Sequence, residues 1–97
     1  MHEVTMVVKH EAGLHARPAA LFVGKAKQFK SRILVAKGDV EVDAKSILKI
    51  LTLGVNQGTV ITVKAQGDDE ECAVKALQDL VESNFGEPEK KALQTQP

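Results

Sequence analysis

Apolar and polar positions change period several times along the chain, and each change marks an element. Residues 3–8, Glu-Val-Thr-Met-Val-Val, are rich in β-branched side chains and alternate in part, which predicts a strand. Glu11-Ala12-Gly13-Leu14 then reads as a short loop with Gly13 as the breaker. From Ala16 the period lengthens. Ala19, Phe22, Val23, Ala26 and then Phe29 or Lys30 keep the three-to-four spacing of an amphipathic helix, predicted to end near Lys30. Arg32 to Ala36 predicts a second strand. Gly38-Asp39 is a two-residue hairpin signal with glycine first, as a type II′ turn prefers, so Val40-Glu41-Val42 should run back antiparallel.

Ser46 precedes Ile47, Leu48, Ile50, Leu51 and Leu53, and Gly54 follows, which is the signature of a short capped helix. Asn56-Gln57-Gly58 is a turn, and Val60 to Ala65 alternates as a fourth strand. Gly67 turns the chain again. Asp68 with Glu71 three residues on predicts a capping box for a last helix. The apolar stripe of that helix is Ala73, Leu77, Leu80 and Val81, and its end is expected near Asn84. Residues 1–86 form the expected domain. Residues 87–97, with two prolines and mixed charge, predict a disordered tail. The order strand, helix, strand, strand, helix, strand, helix suits one sheet with helices on one face, an α+β class. Periodicity leaves the strand order open.

A chain of 97 residues holds one small core, which excludes a dinucleotide-binding domain or a barrel. Hydrophobic residues at 43% and charged residues at 27% exclude disorder throughout. No stretch approaches the ~20 apolar residues of a membrane helix, and no basic-plus-apolar leader is visible, so cytoplasmic residence is the expectation. The single cysteine, Cys72, cannot form an internal disulfide and is expected to pack at the edge of the last helix. Charge balances overall but is uneven. Residues 1–51 carry nine Lys/Arg against five Asp/Glu, hence +4, and residues 52–97 carry four against eight, hence −4. Neutrality, with no Trp or Tyr, argues against a nucleic-acid binder. The basic half suits an acidic ligand or partner.

The chemistry concentrates at His15, on the boundary between a glycine-containing loop and a helix. Unpaired N–H groups of a first helical turn and the positive end of its dipole favour an anion. Arg17 adds a guanidinium suited to phosphate oxygens. Pro18 belongs in a first turn because its missing N–H would be unpaired there. Ala16, Ala19 and Ala20 keep the surroundings small enough for a bulky partner. A neutral imidazole is a competent nucleophile toward phosphorus, and positive neighbours favour the neutral form. A histidine that only caps a helix or faces solvent is the plainer reading; Gly13, Arg17 and Pro18 together favour the reactive one.

His2 and His10 have no such company, and no spacing places the histidines on one helix face, so no metal site is expected. Ser46 reads first as an N-cap; phosphorylated, it would place negative charge where an acidic partner docks. Five apolar residues are too many for one side of a two-turn helix. Some of Ile47, Leu48, Ile50, Leu51 and Leu53 should therefore stay exposed as a docking patch rimmed by Lys49.

Gly13-Leu14-His15-Ala16-Arg17-Pro18-Ala19-Ala20 resembles the active-site motif of the HPr family, the histidine-containing phosphocarriers of the bacterial phosphotransferase system. Lys45-Ser46-Ile47-Leu48-Lys49-Ile50-Leu51-Thr52-Leu53-Gly54 resembles that family's regulatory-serine segment. Gln57-Gly58-Thr59-Val60 and Gly67-Asp68-Asp69-Glu70 agree in spacing, and the likeness spans roughly residues 3–85. The resemblance implies an HPr-like open-faced β-sandwich, βαββαβα, whose antiparallel four-stranded sheet has the order 1-4-2-3. It implies a carrier rather than an enzyme, without a cofactor and monomeric. Enzyme I, charged from phosphoenolpyruvate, would donate to Nδ1 of His15, and IIA proteins or domains of sugar permeases would accept. Arg17 and the main-chain amides of Ala16 and Arg17 would steady the phosphate. Ala20, Lys27, Ile47, Leu48, Lys49 and Leu51 would form the docking surface. A serine kinase and phosphatase acting on Ser46 would be further partners. Relatives with such a kinase usually have Gly at the place of Lys49 and Met at the places of Leu48 and Leu51, and Gly24 stands where the family often has a long polar residue.

Three other readings compete. An HPr-like regulatory paralogue would act mainly through partner binding; paralogues lacking the histidine are excluded by His15. A small acylphosphatase would need a phosphate cradle and a catalytic Asn that are not recognisable. A pure interaction domain leaves His15 with Arg17 unexplained.

Overall fold

Seven elements follow in the order β1 (His2–Val7), α1 (Ala16–Ala26), β2 (Arg32–Lys37), β3 (Val40–Asp43), α2 (Ile47–Thr52), β4 (Val60–Gln66) and α3 (Glu70–Glu82). They are seen in a computed structural model, which describes residues 1–11, 13, 14, 16–83 and 85. The expected tail, residues 87–97, lies outside the described residues, as does Asn84. The strands form one antiparallel sheet in the order β1-β4-β2-β3, as the resemblance implied. Val4 faces Val63 and Val63 faces Val35, so alternate side chains line up across the sheet.

One face of the sheet is dry. Met6, Ile33, Val35, Ile61, Val63 and Ala65 bury there against the helices. α1 contributes Ala19, Phe22, Val23 and Ala26, and α3 contributes Ala73, Val74, Leu77 and Val81. Each large side chain so buried contributes about 1.5–3 kcal/mol. The other face carries polar residues of the same strands, including the pair Thr5 Oγ1 and Thr62 Oγ1 at 3.1 Å and the ion pair of Lys64 with Glu41. One covered and one open face make the architecture an open-faced sandwich. Lys37 pairs with Val40, leaving Gly38 and Asp39 as the loop. Gly38 has φ 60, while Phe85 is the single described non-glycine with positive φ, so the turn is type II′ as expected.

Three local expectations are corrected. α1 ends at Ala26 instead of near Lys30. Lys27 N–H still reaches the Val23 carbonyl, but Gln28 and Phe29 donate only three residues back, to Lys25 and Ala26. The chain is then captured. Lys45 Nζ donates to the Phe29 carbonyl at 2.7 Å, and the Asp69 carboxylate accepts from the N–H groups of Lys30 and Ser31 at 2.8 and 2.9 Å. That capture also removes the expected capping box. The N-cap of α3 is Asp69, and its side chain makes no cap bond because it serves Lys30, Ser31 N–H and the Ser31 hydroxyl. Glu70 takes the other role, accepting the Gly67 N–H at 3.2 Å in place of Glu71. Val74 joins the stripe of α3, Leu80 is half-buried, and Cys72 is exposed on that helix rather than packed.

Candidate functional site

The loop from β1 to α1 is stitched to a distant part of the chain. Val8 N–H donates to the Thr59 carbonyl, Gly58 N–H to the Val8 carbonyl and Leu14 N–H to the Val55 carbonyl, at 2.7–2.9 Å. Gly13 N–H closes a turn onto the His10 carbonyl at 2.9 Å, with φ +65. A β-carbon on Gly13 would lie 2.2 Å from the Val55 carbonyl oxygen, so the two backbones meet where no side chain fits. Leu14 is buried in the core. The chain is therefore pinned as far as Leu14. His15 itself lies outside the described residues.

α1 begins at Ala16, which places Ala16, Arg17 and Pro18 in its first turn. Ala16 and Arg17 are exposed, and Pro18 is buried at a position whose N–H has no helical partner to lose. No acidic residue stands in that turn. The run Asp68-Asp69-Glu70-Glu71 is held at the other end of α1, because Asp69 grips Lys30 and Ser31 just beyond the C-terminus of α1. That run is thus kept at the opposite end of α1 from the Arg17 guanidinium and the positive end of the helix dipole.

Arg17, Ala20 and Gly24, with Lys27 just past the end of α1, recur every three or four residues along one exposed stripe. α2 packs beside α1 and buries Ile50, with Leu53 buried just after it. Leu48 remains 73% exposed, Ile47 39% and Leu51 38%, and Lys49 is exposed among them. The expected surplus of apolar residues on α2 is therefore present. The sequence reading did not name Leu21, 40% exposed, although its place off the stripe of Ala19, Phe22, Val23 and Ala26 was the signal. Ser46 caps α2: its hydroxyl accepts the Lys49 N–H at 3.4 Å and its carbonyl accepts the Ile50 N–H at 3.0 Å. Lys37 Nζ closes the other end on the carbonyls of Leu53 and Gly54.

Two carboxylates at the start of α3 are shifted. The Ser31 hydroxyl and then the Lys30 N–H hold the Asp69 carboxyl below its usual range. The Gly67 N–H and then the Met1 amino group do the same for Glu70. Among the described residues no group of three or more His, Cys, Asp or Glu side chains could hold a metal, and no helix is long and apolar enough to cross a membrane. His10, set aside in the sequence reading, is buried beside Phe85. Its partner lies at the far end of the chain, so no local pattern could have found the contact.

A family model described as PTS HPr component phosphorylation site matches residues 2–83. The phosphocarrier protein HPr of Mycoplasma pneumoniae is 42% identical over 85 residues, covering 87% of this chain and 97% of its own. A crystal structure of HPr from Thermoanaerobacter tengcongensis superposes with a TM-score of 0.89 at 57% identity, covering 92% of this chain and all of that one. Crh, the catabolite repression protein of Bacillus subtilis, solved as a domain-swapped dimer, matches at 40% identity with a TM-score of 0.69, over 87% of this chain and 97% of that one.

Proposed function

This chain belongs to the HPr family of phosphocarriers of the phosphotransferase system, and on that premise we propose the route its phosphoryl group takes. Enzyme I, charged from phosphoenolpyruvate, donates to His15, and His15 passes the group to IIA proteins or domains of sugar permeases. Nδ1 of the neutral imidazole attacks phosphorus. The new N–P bond forms as the bond to the donor atom on enzyme I breaks, and that atom keeps the electron pair. The second transfer reverses these roles with the IIA acceptor. The protein's share is positioning and charge stabilisation, as in phosphoryl transfer generally.

The observation that carries this reading is the first turn of α1. It offers exposed Ala16 and Arg17, N–H groups that have no acceptor within the helix and no acidic side chain, directly after a loop held at Gly13 and Leu14. The amides of Ala16 and Arg17 and the Arg17 guanidinium hold the phosphate oxygens. Partners dock on Ala20, Lys27, Ile47, Leu48, Lys49 and Leu51, a small apolar patch with a basic rim that suits brief encounters with acidic partners. The carrier acts as a monomer in the cytoplasm, and Ser46 is a regulatory phosphorylation site.

Enzyme I with labelled phosphoenolpyruvate tests the reading. The wild type should take up label that is lost in acid and survives base, and His15→Ala should take up none while melting as the wild type does. Labelling of His15→Ala would overturn the site. The match to Crh supports a second reading, in which the chain regulates through partner binding. Acid-stable label from ATP and a serine kinase, with none from enzyme I, would favour it.

A further inference from the structure

The loop that presents position 15 is held from two sides. The segment 55–59 holds one side through the bonds of Val8, Leu14 and Gly58. On the other side stands Phe85, beyond the end of α3. His10 is 8% exposed and Phe85 3% exposed, with ring centroids 5.6 Å apart and planes at 79°. An edge-to-face pair of this kind is a preferred aromatic geometry. The His10 carbonyl in turn accepts the Gly13 N–H, two residues before position 15.

The backbone of Phe85 makes the contact conspicuous. Its φ of 59° lies in the left-handed region, where a bulky side chain is a genuine outlier. A position with that φ is ordinarily served by glycine or asparagine. A buried phenylalanine persists there because its packing over-determines the backbone, and such strain clusters at functional sites. Neither His10 nor Phe85 belongs to the docking patch or to the groups proposed to hold the phosphate.

We infer that His10 and Phe85 are a latch, a pair of positioning residues that seats the end of α3 on the phospho-acceptor loop and keeps that loop aligned for transfer. Phe85 acts on His10, and His10 acts through its carbonyl on Gly13. The reach to position 15 is short, and misplacement of a reacting group by about 1 Å costs on the order of a hundredfold in rate. The inference rests on the reading of His15 as the acceptor.

Phe85→Gly and Phe85→Leu test it in the full-length protein. Glycine removes the ring and relieves the backbone at once. A residue that merely ends the helix would therefore be replaced by glycine without loss. The latch instead requires Phe85→Gly to speed amide exchange at Gly13 roughly tenfold relative to Val63 in the core. It also requires the maximal rate of labelling from phosphorylated enzyme I to fall roughly tenfold, with the KM for enzyme I unchanged. Phe85→Leu, which refills the volume, should recover most of both. Unchanged exchange at Gly13, an unchanged maximal rate, or a loss confined to KM would overturn the latch. Absence of label on the wild type would instead defeat the acceptor reading, and the exchange measurement would still decide whether Phe85 holds the loop.

Discussion

Two glycines, one before α1 and one within it, answer to opposite physics. Gly13 holds φ +65 with the Val55 carbonyl where a β-carbon would go, so Gly13→Ala must move backbone against backbone. We expect a loss of about 2 kcal/mol or more in urea unfolding, together with slower phosphoryl acceptance. Gly24 is exposed in the last turn of α1, with nothing within 4 Å of an added β-carbon. Gly24→Ala should raise stability by about 0.5–1 kcal/mol, read in the same titration. A loss at Gly24 or indifference at Gly13 would contradict this. The sequence marked Gly13 only as a loop breaker. What makes it obligatory is a carbonyl from the chain before β4, and no local pattern reports a contact of that kind. Ser46 was legible as a cap for the converse reason, since its hydroxyl and the Lys49 N–H lie within one turn.

At the scale of elements, the same division explains where the helix ends were misread. The stripes of α1 and α3 are periodic and were plain in the sequence. The end of α1 and the start of α3 are not independent, because Asp69, the N-cap residue of α3, gives its carboxylate to Lys30 and Ser31 just beyond α1. The predicted continuation to Lys30 and the predicted Asp68–Glu71 box failed together at that joint. It also sets the acid response. Asp69 and Glu70 ionise more readily in the folded protein than their usual values allow. The unfolded chain therefore takes up protons first as pH falls. Their contribution to stability is complete above the ordinary carboxylate range, about pH 4, and is lost as pH drops through the lowered folded values. Melting temperature followed from pH 6 to pH 2 should fall less steeply for Asp69→Asn than for the wild type. The remaining slope should be that of Glu70 and the other carboxylates. Identical acid limbs would mean the Asp69 bonds are not those that tie the two helices.

Over the whole molecule, element order was legible from period and turn signals, and strand order was not, because β1 pairs with β4 across most of the chain. The proposed docking face was half legible: a surplus of apolar residues on α2 was countable and Leu21 stood off the apolar stripe of α1, but that α1 packs beside α2 was not. Two variants separate what that face contributes. Leu48 is 73% exposed, so Leu48→Ala should leave stability within about 0.5 kcal/mol of wild type. If the side chain is a contact anchor, transfer from enzyme I should nevertheless slow roughly tenfold, and equally so at low and high salt. Ser46→Asp keeps a good N-cap, so α2 should stay folded, but it sets a negative charge on a surface whose basic rim is Lys49 and Lys27. Its defect should be largest at low ionic strength and shrink as salt shortens the Debye length from about 30 Å at 0.01 M to about 8 Å at 0.15 M. Association rates with enzyme I measured for both variants across that range decide the matter. A salt-sensitive loss in Leu48→Ala, or a salt-independent one in Ser46→Asp, would mean that the apolar patch and its basic rim do not divide contact from steering in this way.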